Sequence, residues 1–202
     1  MVNLHLPFIS DTAERPTFSG IIDPTELRVV IFGKTGTGKS STGNTILGRY
    51  EFRSRPSGSS ITKVCNLGIN TRFGRKIAVV DTPGLYDTEM TNEEITKEIV
   101  KCIGMTAPGP HAILLTIRVG RFTREEQNTV KHFVDHFGIG MYNYLTVVFT
   151  GADFLEDDNL DFREYVNDCP PPLQAILKLC DHRYIPLTID FRVKTKSNKL
   201  RI

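Results

Sequence analysis

Eight residues, Gly33-Lys34-Thr35-Gly36-Thr37-Gly38-Lys39-Ser40, constrain what this chain can fold into more than any other stretch. They match GxxxxGK[ST] and lie between an apolar, strand-like run, Leu27–Phe32, and a helix-like run that continues through Ser41. Glycine lets the backbone turn sharply and come close to a ligand, so the loop can direct a ring of N–H groups inward, and the following helix adds the positive end of its dipole. That arrangement suits phosphate. Lys39 would reach the β and γ phosphates as a compact cation, and the Ser40 hydroxyl would hold Mg²⁺.

A phosphate loop of this kind needs a parallel sheet to carry it, and the rest of the chain alternates accordingly. Short apolar runs at Val64–Ile69, Lys76–Val80, Ala112–Val119, Tyr144–Phe149 and Arg183–Leu187 read as further strands, with helical patterns between them. Thr91-Asn92-Glu93-Glu94 and Thr123-Arg124-Glu125-Glu126 are capping boxes, and Val130, Phe133, Val134 and Phe137 follow the second at helical spacing. Leu173, Ile176, Leu177 and Cys180 repeat that spacing after Pro170-Pro171-Pro172, so another helix is expected there. The expectation is an α/β domain over residues 27–188, preceded by a flexible leader, 1–26, and followed by a basic tail, 189–202.

Asp81-Thr82-Pro83-Gly84 ends the strand run Lys76–Val80. An acidic residue at a strand end beside a phosphate loop can bind Mg²⁺, and the Gly84 amide can contact the γ phosphate. Between the two motifs, Arg53–Ser60 is polar, and Thr62 in Ile61-Thr62-Lys63 is the expected sensor of Mg²⁺ and the γ phosphate.

Composition excludes several classes. At 202 residues with 40% hydrophobic and 24% charged residues and a net charge of +2, the chain suits one domain and has no electrostatic preference for nucleic acid. No apolar run reaches the ~18 residues of a membrane-crossing helix. Cys65, Cys102, Cys169 and Cys180 are widely spaced with no CxxC pair, so neither a disulfide framework nor a zinc site is expected, and a reducing, cytoplasmic setting is. His132 and His136 stand four apart on a predicted helix, but the run lacks the Glu of HExxH, and a solvated face is the expectation.

The motifs GKTGTGKS, STGNTILG, SITKVC, VVDTPGLYDT and PGPHAILLTIRVGRFTREEQ together resemble the GIMAP family, the immunity-associated GTPases related to septins and the chloroplast Toc receptors. The resemblance runs from Leu27 to about Tyr184 and is most specific at residues 108–127. It implies a Ras-like P-loop GTPase fold: a mostly parallel six-stranded sheet ordered 2-3-1-4-5-6 with helices on both faces. It also implies GTP or GDP with Mg²⁺ as ligands, and GTP-dependent pairing through the nucleotide face, with itself or with related GTPases. The phosphate and Mg²⁺ set is then Gly33, Lys34, Thr35, Gly36, Thr37, Gly38, Lys39, Ser40 and Ser41, with Thr62, Asp81 and Gly84 in the switches.

The chain departs from the family's pattern at two places, and from Ras-like enzymes at a third. Guanine is usually read by an N/TKxD-like motif after the fifth strand, and here the run is Thr150-Gly151-Ala152-Asp153. Asp153 can accept from the guanine ring nitrogen and amine, but Gly151 lacks the basic side chain that normally lies against the base. After Ile185, Pro186-Leu187-Thr188-Ile189-Asp190 replaces the expected Asn-bearing loop, and the tail Phe191–Ile202 has five basic residues and no acid. A missing final helix is therefore expected, with the tail solvated or in weak contact with a membrane surface. Finally, Leu85 stands where Ras-like enzymes place a water-orienting Gln, so a lone subunit should hydrolyse slowly, and Arg121 is the residue that pairing could insert into a partner's site. Two functions remain, a slow GTPase switch and a GTP-loaded scaffold with little turnover; an ATP-using P-loop kinase or ATPase fits Asp153 and DTPG less well.

Overall fold

The computed structural model describes residues 26–53, 64–84, 91–157 and 160–188. Along the chain these form β1 (Leu27–Phe32), α1 (Lys39–Leu47), β2 (Asn66–Arg72), β3 (Arg75–Asp81), α2 (Asn92–Met105), β4 (Ala112–Arg118), α3 (Arg124–Phe137), a 3-10 turn (Ile139–Asn143), β5 (Leu145–Thr150), α4 (Asp153–Asp157), α5 (Phe162–Asn167), α6 (Pro171–Leu179) and β6 (Tyr184–Leu187). The six expected strands are present. The 3-10 turn, α4 and α5 were not foreseen, because five or six residues carry too little periodicity to register as a helix. Leader residues 1–25, the segment holding Thr62, Leu85 and the tail from residue 189 lie outside the described residues.

The sheet order is β2-β3-β1-β4-β5-β6. β1 pairs parallel with β3 and β4, and β5 parallel with β4 and β6, so the phosphate loop leaves the centre of the sheet at its carboxyl edge. Only the edge strand β2 runs antiparallel, returning into β3 through Phe73 and Gly74, both at positive φ (53° and 72°). Two left-handed residues in a two-residue hairpin match the twist of the flanking strands, and Gly74 adopts that conformation without strain.

Both faces of the inner strands are apolar, as the central strands of a parallel sheet must be when helices cover them. Ile113, Leu115, Ile117, Leu145, Val147 and Phe149 face one core with Phe133 of α3 and Leu173 and Leu177 of α6. Val29, Ile31, Ile77 and Val79 face the other with Leu47 of α1 and Phe52. Phe32 and Phe133 stack at 3.9 Å between ring centroids, so the residue just before the phosphate loop is packed firmly against α3.

Helix ends follow their sequence signals. Thr123 caps α3 reciprocally with Glu126, and Thr91 and Glu94 form the same box ahead of α2. α6 has Pro170 at its N-cap and Pro171 as its first residue, where a missing N–H costs nothing.

The expectation of no disulfide is corrected. Cys65, just before β2, and Cys102 in α2 are disulfide-bonded, 37 residues apart in sequence and 6.3 Å between Cα atoms. Their spacing conceals this, because only tertiary packing brings the start of β2 against α2. The Cys65 N–H donates to the buried Glu98 carboxylate at 2.8 Å and fixes the same junction. Cys169 and Cys180 are free and buried.

Candidate functional site

The loop Gly33–Gly38 wraps over the end of β1, and its shape is enforced from beneath. Gly33 has φ 153°, and a Cβ on it would come within 2.5 Å of the Thr116 hydroxyl and 2.6 Å of the Thr116 carbonyl oxygen, so no side chain fits there. Gly36 and Gly38 are left-handed, at φ 82° and 89°. Gly38 is the N-cap of α1 and supplies no side chain, so a ligand at the helix's positive end would meet backbone N–H groups, those of Ser40 and Ser41 included.

Three threonines hold this loop to the sheet. The Thr37 hydroxyl donates to Lys34 O at 2.8 Å and lies 2.8 Å from the Thr116 hydroxyl on β4. The Thr150 hydroxyl, at the end of β5, donates to Thr37 O at 2.8 Å. All three side chains are buried. Thr150 also begins the run that carries Asp153, so the glycine loop and the Asp153 loop share one hydrogen-bonded mount. Sequence reasoning missed this role of Thr116 and Thr150, for a threonine inside a strand is ordinarily just a good strand former.

Lys39 is buried and donates to Gly33 O at 3.0 Å and Lys34 O at 2.9 Å. Its ammonium is thus arched back over the loop, where phosphate oxygens would lie. The Ser40 hydroxyl donates to the Asp81 carboxylate at 2.6 Å, and Asp81 is only 1% exposed. A hydroxyl and a carboxylate side by side are hard oxygen donors, the pair that suits Mg²⁺, which takes one or two protein ligands and completes its shell with phosphate and water. Among the described residues no cluster of three His, Cys, Asp or Glu side chains offers an alternative metal site.

Gly84 is packed against the loop: a Cβ there would fall 2.9 Å from Thr35 Cα and closer still to its hydroxyl. Only glycine permits this approach, which sets the Gly84 backbone against Thr35 of the loop. Lys34 is ion-paired with Glu125 at the start of α3, a link the sequence did not signal.

Arg121 is exposed in the loop between β4 and α3. Its neighbour Gly120 is pinned on both backbone groups by the Tyr165 hydroxyl, which accepts from Gly120 N at 3.0 Å and lies 3.1 Å from Gly120 O. The Thr123 capping box fixes the other side, so Arg121 projects from an anchored segment. Asp153 is exposed at the first position of α4. The histidine pair serves packing: His136 Nδ1 lies 2.8 Å from His132 O and its Nε2 3.2 Å from the Thr96 hydroxyl. Burial and the neighbouring His136 push the His132 pKa down.

The structure therefore brings Gly33–Ser41, Asp81 and Gly84 together at the carboxyl edge of β1 and β3, with Asp153 beyond β5 and Arg121 beyond β4. No helix among the described residues is long and apolar enough to cross a membrane.

Comparison with known proteins agrees with this fold. Solved structures of Toc33 from Arabidopsis thaliana share the fold: one in complex with GDP and Mg²⁺ has a TM-score of 0.65 at 21% identity, covering 84% of this chain and 73% of the other. A further solved structure, described for the importance of dimerization to the GTPase activity of the chloroplast translocon components atToc33 and psToc159, has a TM-score of 0.68 at 21% identity, covering 83% of this chain and 72% of the other. Among curated proteins, Immune-associated nucleotide-binding protein 9 of Arabidopsis thaliana is 44% identical over 159 residues, covering 78% of this chain and 46% of that protein. Protein 7 of the same series is 39% identical over 160 residues, covering 78% and 51%. This chain thus spans about half the length of those relatives. The AIG1 family model matches residues 27–201, and with these relatives it establishes that the chain belongs to the AIG1 family.

Proposed function

We propose that this domain binds GTP and GDP with Mg²⁺ and acts as a slow GTPase switch that pairs through its nucleotide face. The observation that carries the reading is the buried phosphate-end constellation: Lys39 arched over the loop and Ser40 bonded to Asp81 at 2.6 Å. In this reading Lys39 and the loop amides neutralise phosphate charge, Ser40 and Asp81 hold Mg²⁺, Gly84 and Thr62 report the γ phosphate, and Asp153 reads guanine. Bound Mg²⁺ would supply Lewis-acid neutralisation of the β and γ phosphates. Toc33 supports the assignment by sharing the fold and by having been solved with GDP and Mg²⁺.

Leu85 has no hydrogen-bonding group with which to orient water, so turnover depends on charge brought by a second copy or a related GTPase. Arg121, exposed on its anchored segment, is the donor we assign. An arginine finger acts only in the transition state, so Arg121→Ala should keep GTP affinity and lose the turnover that rises with protein concentration, an effect of up to about 10³-fold. Single-turnover GTP hydrolysis measured at increasing protein concentration tests the function. Acceleration supports the switch, whereas a flat profile with nucleotide bound assigns the domain as a GTP-loaded scaffold. We place the domain in the cytoplasm, with no nucleic-acid partner and at most a weak membrane contact through the basic tail.

A further inference from the structure

Gly151 stands where a TKxD-like loop carries its lysine, and the structure gives a physical reason for the substitution. Its backbone is left-handed, at φ 71°, and a Cβ built there would lie 3.1 and 3.2 Å from two ring carbons of Phe154 and 3.9 Å from Arg118 Cγ. The Phe154 ring of α4 is thus the tight neighbour of Gly151, with Arg118 from the end of β4 in ordinary contact beyond it. The Arg118 guanidinium carbon sits 5.5 Å from the Phe154 ring centroid, within cation–π range. Phe154 is nonetheless 48% exposed, although it directly follows Asp153. A large aromatic ring left half open beside a base-reading carboxylate, with a planar cation against it, is unexplained by packing.

We propose that Arg118 and Phe154 form the platform on which one face of the guanine base rests, replacing the lysine stem that Gly151 lacks; this rests on the nucleotide-binding reading above. Guanidinium groups and aromatic rings both stack on purines. The platform and the edge-reading group share one stiff turn. Phe154 N donates to Gly151 O at 3.2 Å, Leu155 N donates to Ala152 O at 3.1 Å, and the buried Leu155 anchors the turn in the core. Asp153 thereby meets the base edge while its neighbour supports the base face. Stacking is indifferent to ring substituents, so the platform contributes affinity and Asp153 contributes discrimination.

Binding of GDP, IDP and inorganic pyrophosphate to the full chain in Mg²⁺ tests this. Phe154→Ala and Arg118→Ala should each weaken GDP and IDP in parallel, by about five- to a hundredfold, with pyrophosphate unchanged. Phe154→Trp, the only tryptophan in a chain that has none, should keep GDP affinity and be quenched by GDP but not by pyrophosphate. Gly151→Lys, which restores the usual residue, should lower GDP affinity, because the added side chain meets both the left-handed backbone and the Phe154 ring. Unchanged GDP affinity in either alanine variant, an unquenched tryptophan, or tighter GDP binding by Gly151→Lys overturns the platform. If the unmodified chain binds pyrophosphate but no nucleotide, base reading itself is wrong; if it binds neither, the proposed function falls with it.

Discussion

At the proposed phosphate end Lys39, Asp81 and Thr37 are buried and hydrogen-bonded, to backbone carbonyls or to the Ser40 and Thr116 hydroxyls, while at the proposed base end Asp153 and Phe154 stand exposed on a helix of five residues. The first region is an extension of the core. Its loop is clamped by Thr116 and Thr150 from two strands, and Gly33 fills a position that no side chain could occupy. The second is a short turn attached to that core through Thr150, Leu155 and the Gly151 N–H, which donates to Leu187 O at 3.1 Å. In the proposed function, a pre-formed phosphate cradle with a thinly supported base reader should take most of its affinity from phosphate and most of its selectivity from very few side chains.

The largest effect should come from removing the buried cation. Lys39→Ala takes away the charge facing the phosphates and should weaken GTP and GDP alike by about 30- to 5,000-fold, with the circular dichroism of the folded domain retained. Micromolar binding kept by that variant, measured by titration calorimetry, breaks the phosphate half of the comparison.

Asp153→Asn tests the other half. It keeps the shape but places a donor against the guanine amine, so GDP should weaken about thirtyfold or more while xanthosine diphosphate is gained. A change shared equally by guanine and adenine nucleotides would show that selectivity lies elsewhere.

The mount connecting the two ends should show a smaller effect. Thr116→Val removes one hydroxyl from a buried pair and should cost about 1–3 kcal/mol of folding stability in urea. It should also speed GDP release, and Thr116→Ser should restore both. Lost stability with an unchanged release rate would mean that the threonines support the sheet without positioning the loops.

Acidification should act weakly, and on neither end selectively. Burial and the nearby Arg28 hold the His111 pKa below its ordinary value, and burial with His136 does the same for His132. A histidine whose pKa falls on folding is favoured neutral, so its stabilising contribution is complete above the unfolded value near 6.5 and is lost as pH drops through the lower folded value. Tm should therefore decline modestly from pH 7 towards pH 5, less so in His132→Gln, with the ratio of GDP to ADP affinity unaltered over the upper part of that range.

Much of this was legible in the residues. The strand Leu27–Phe32 and the Thr123–Glu126 capping box were read at their observed positions, since an apolar run and a cap are local signals. β2 was placed about two residues early, at Val64, because an edge strand with one exposed face has a weak pattern, and β5 was read one residue early at each end. The phosphate loop was legible because backbone geometry dictates glycine at fixed spacing. The meaning of Gly151 was not: the gap is visible in the sequence, but its occupants come from β4 and α4.

What the chain's sequence determined by itself is therefore the part governed by local chemistry: the glycine loop with Lys39 and Ser40, the strand-end Asp81, the caps, and the alternation that requires a parallel sheet. Only the tertiary structure decided that Ser40 and Asp81 share a hydrogen bond across 41 residues, that Thr37 and Thr116 meet across 79, and that Cys65 reaches Cys102. The physical reason is range. A loop's conformation follows from torsional preferences within a few residues, whereas pairing between distant side chains depends on strand order and register, which are settled when the two apolar faces of the sheet are buried.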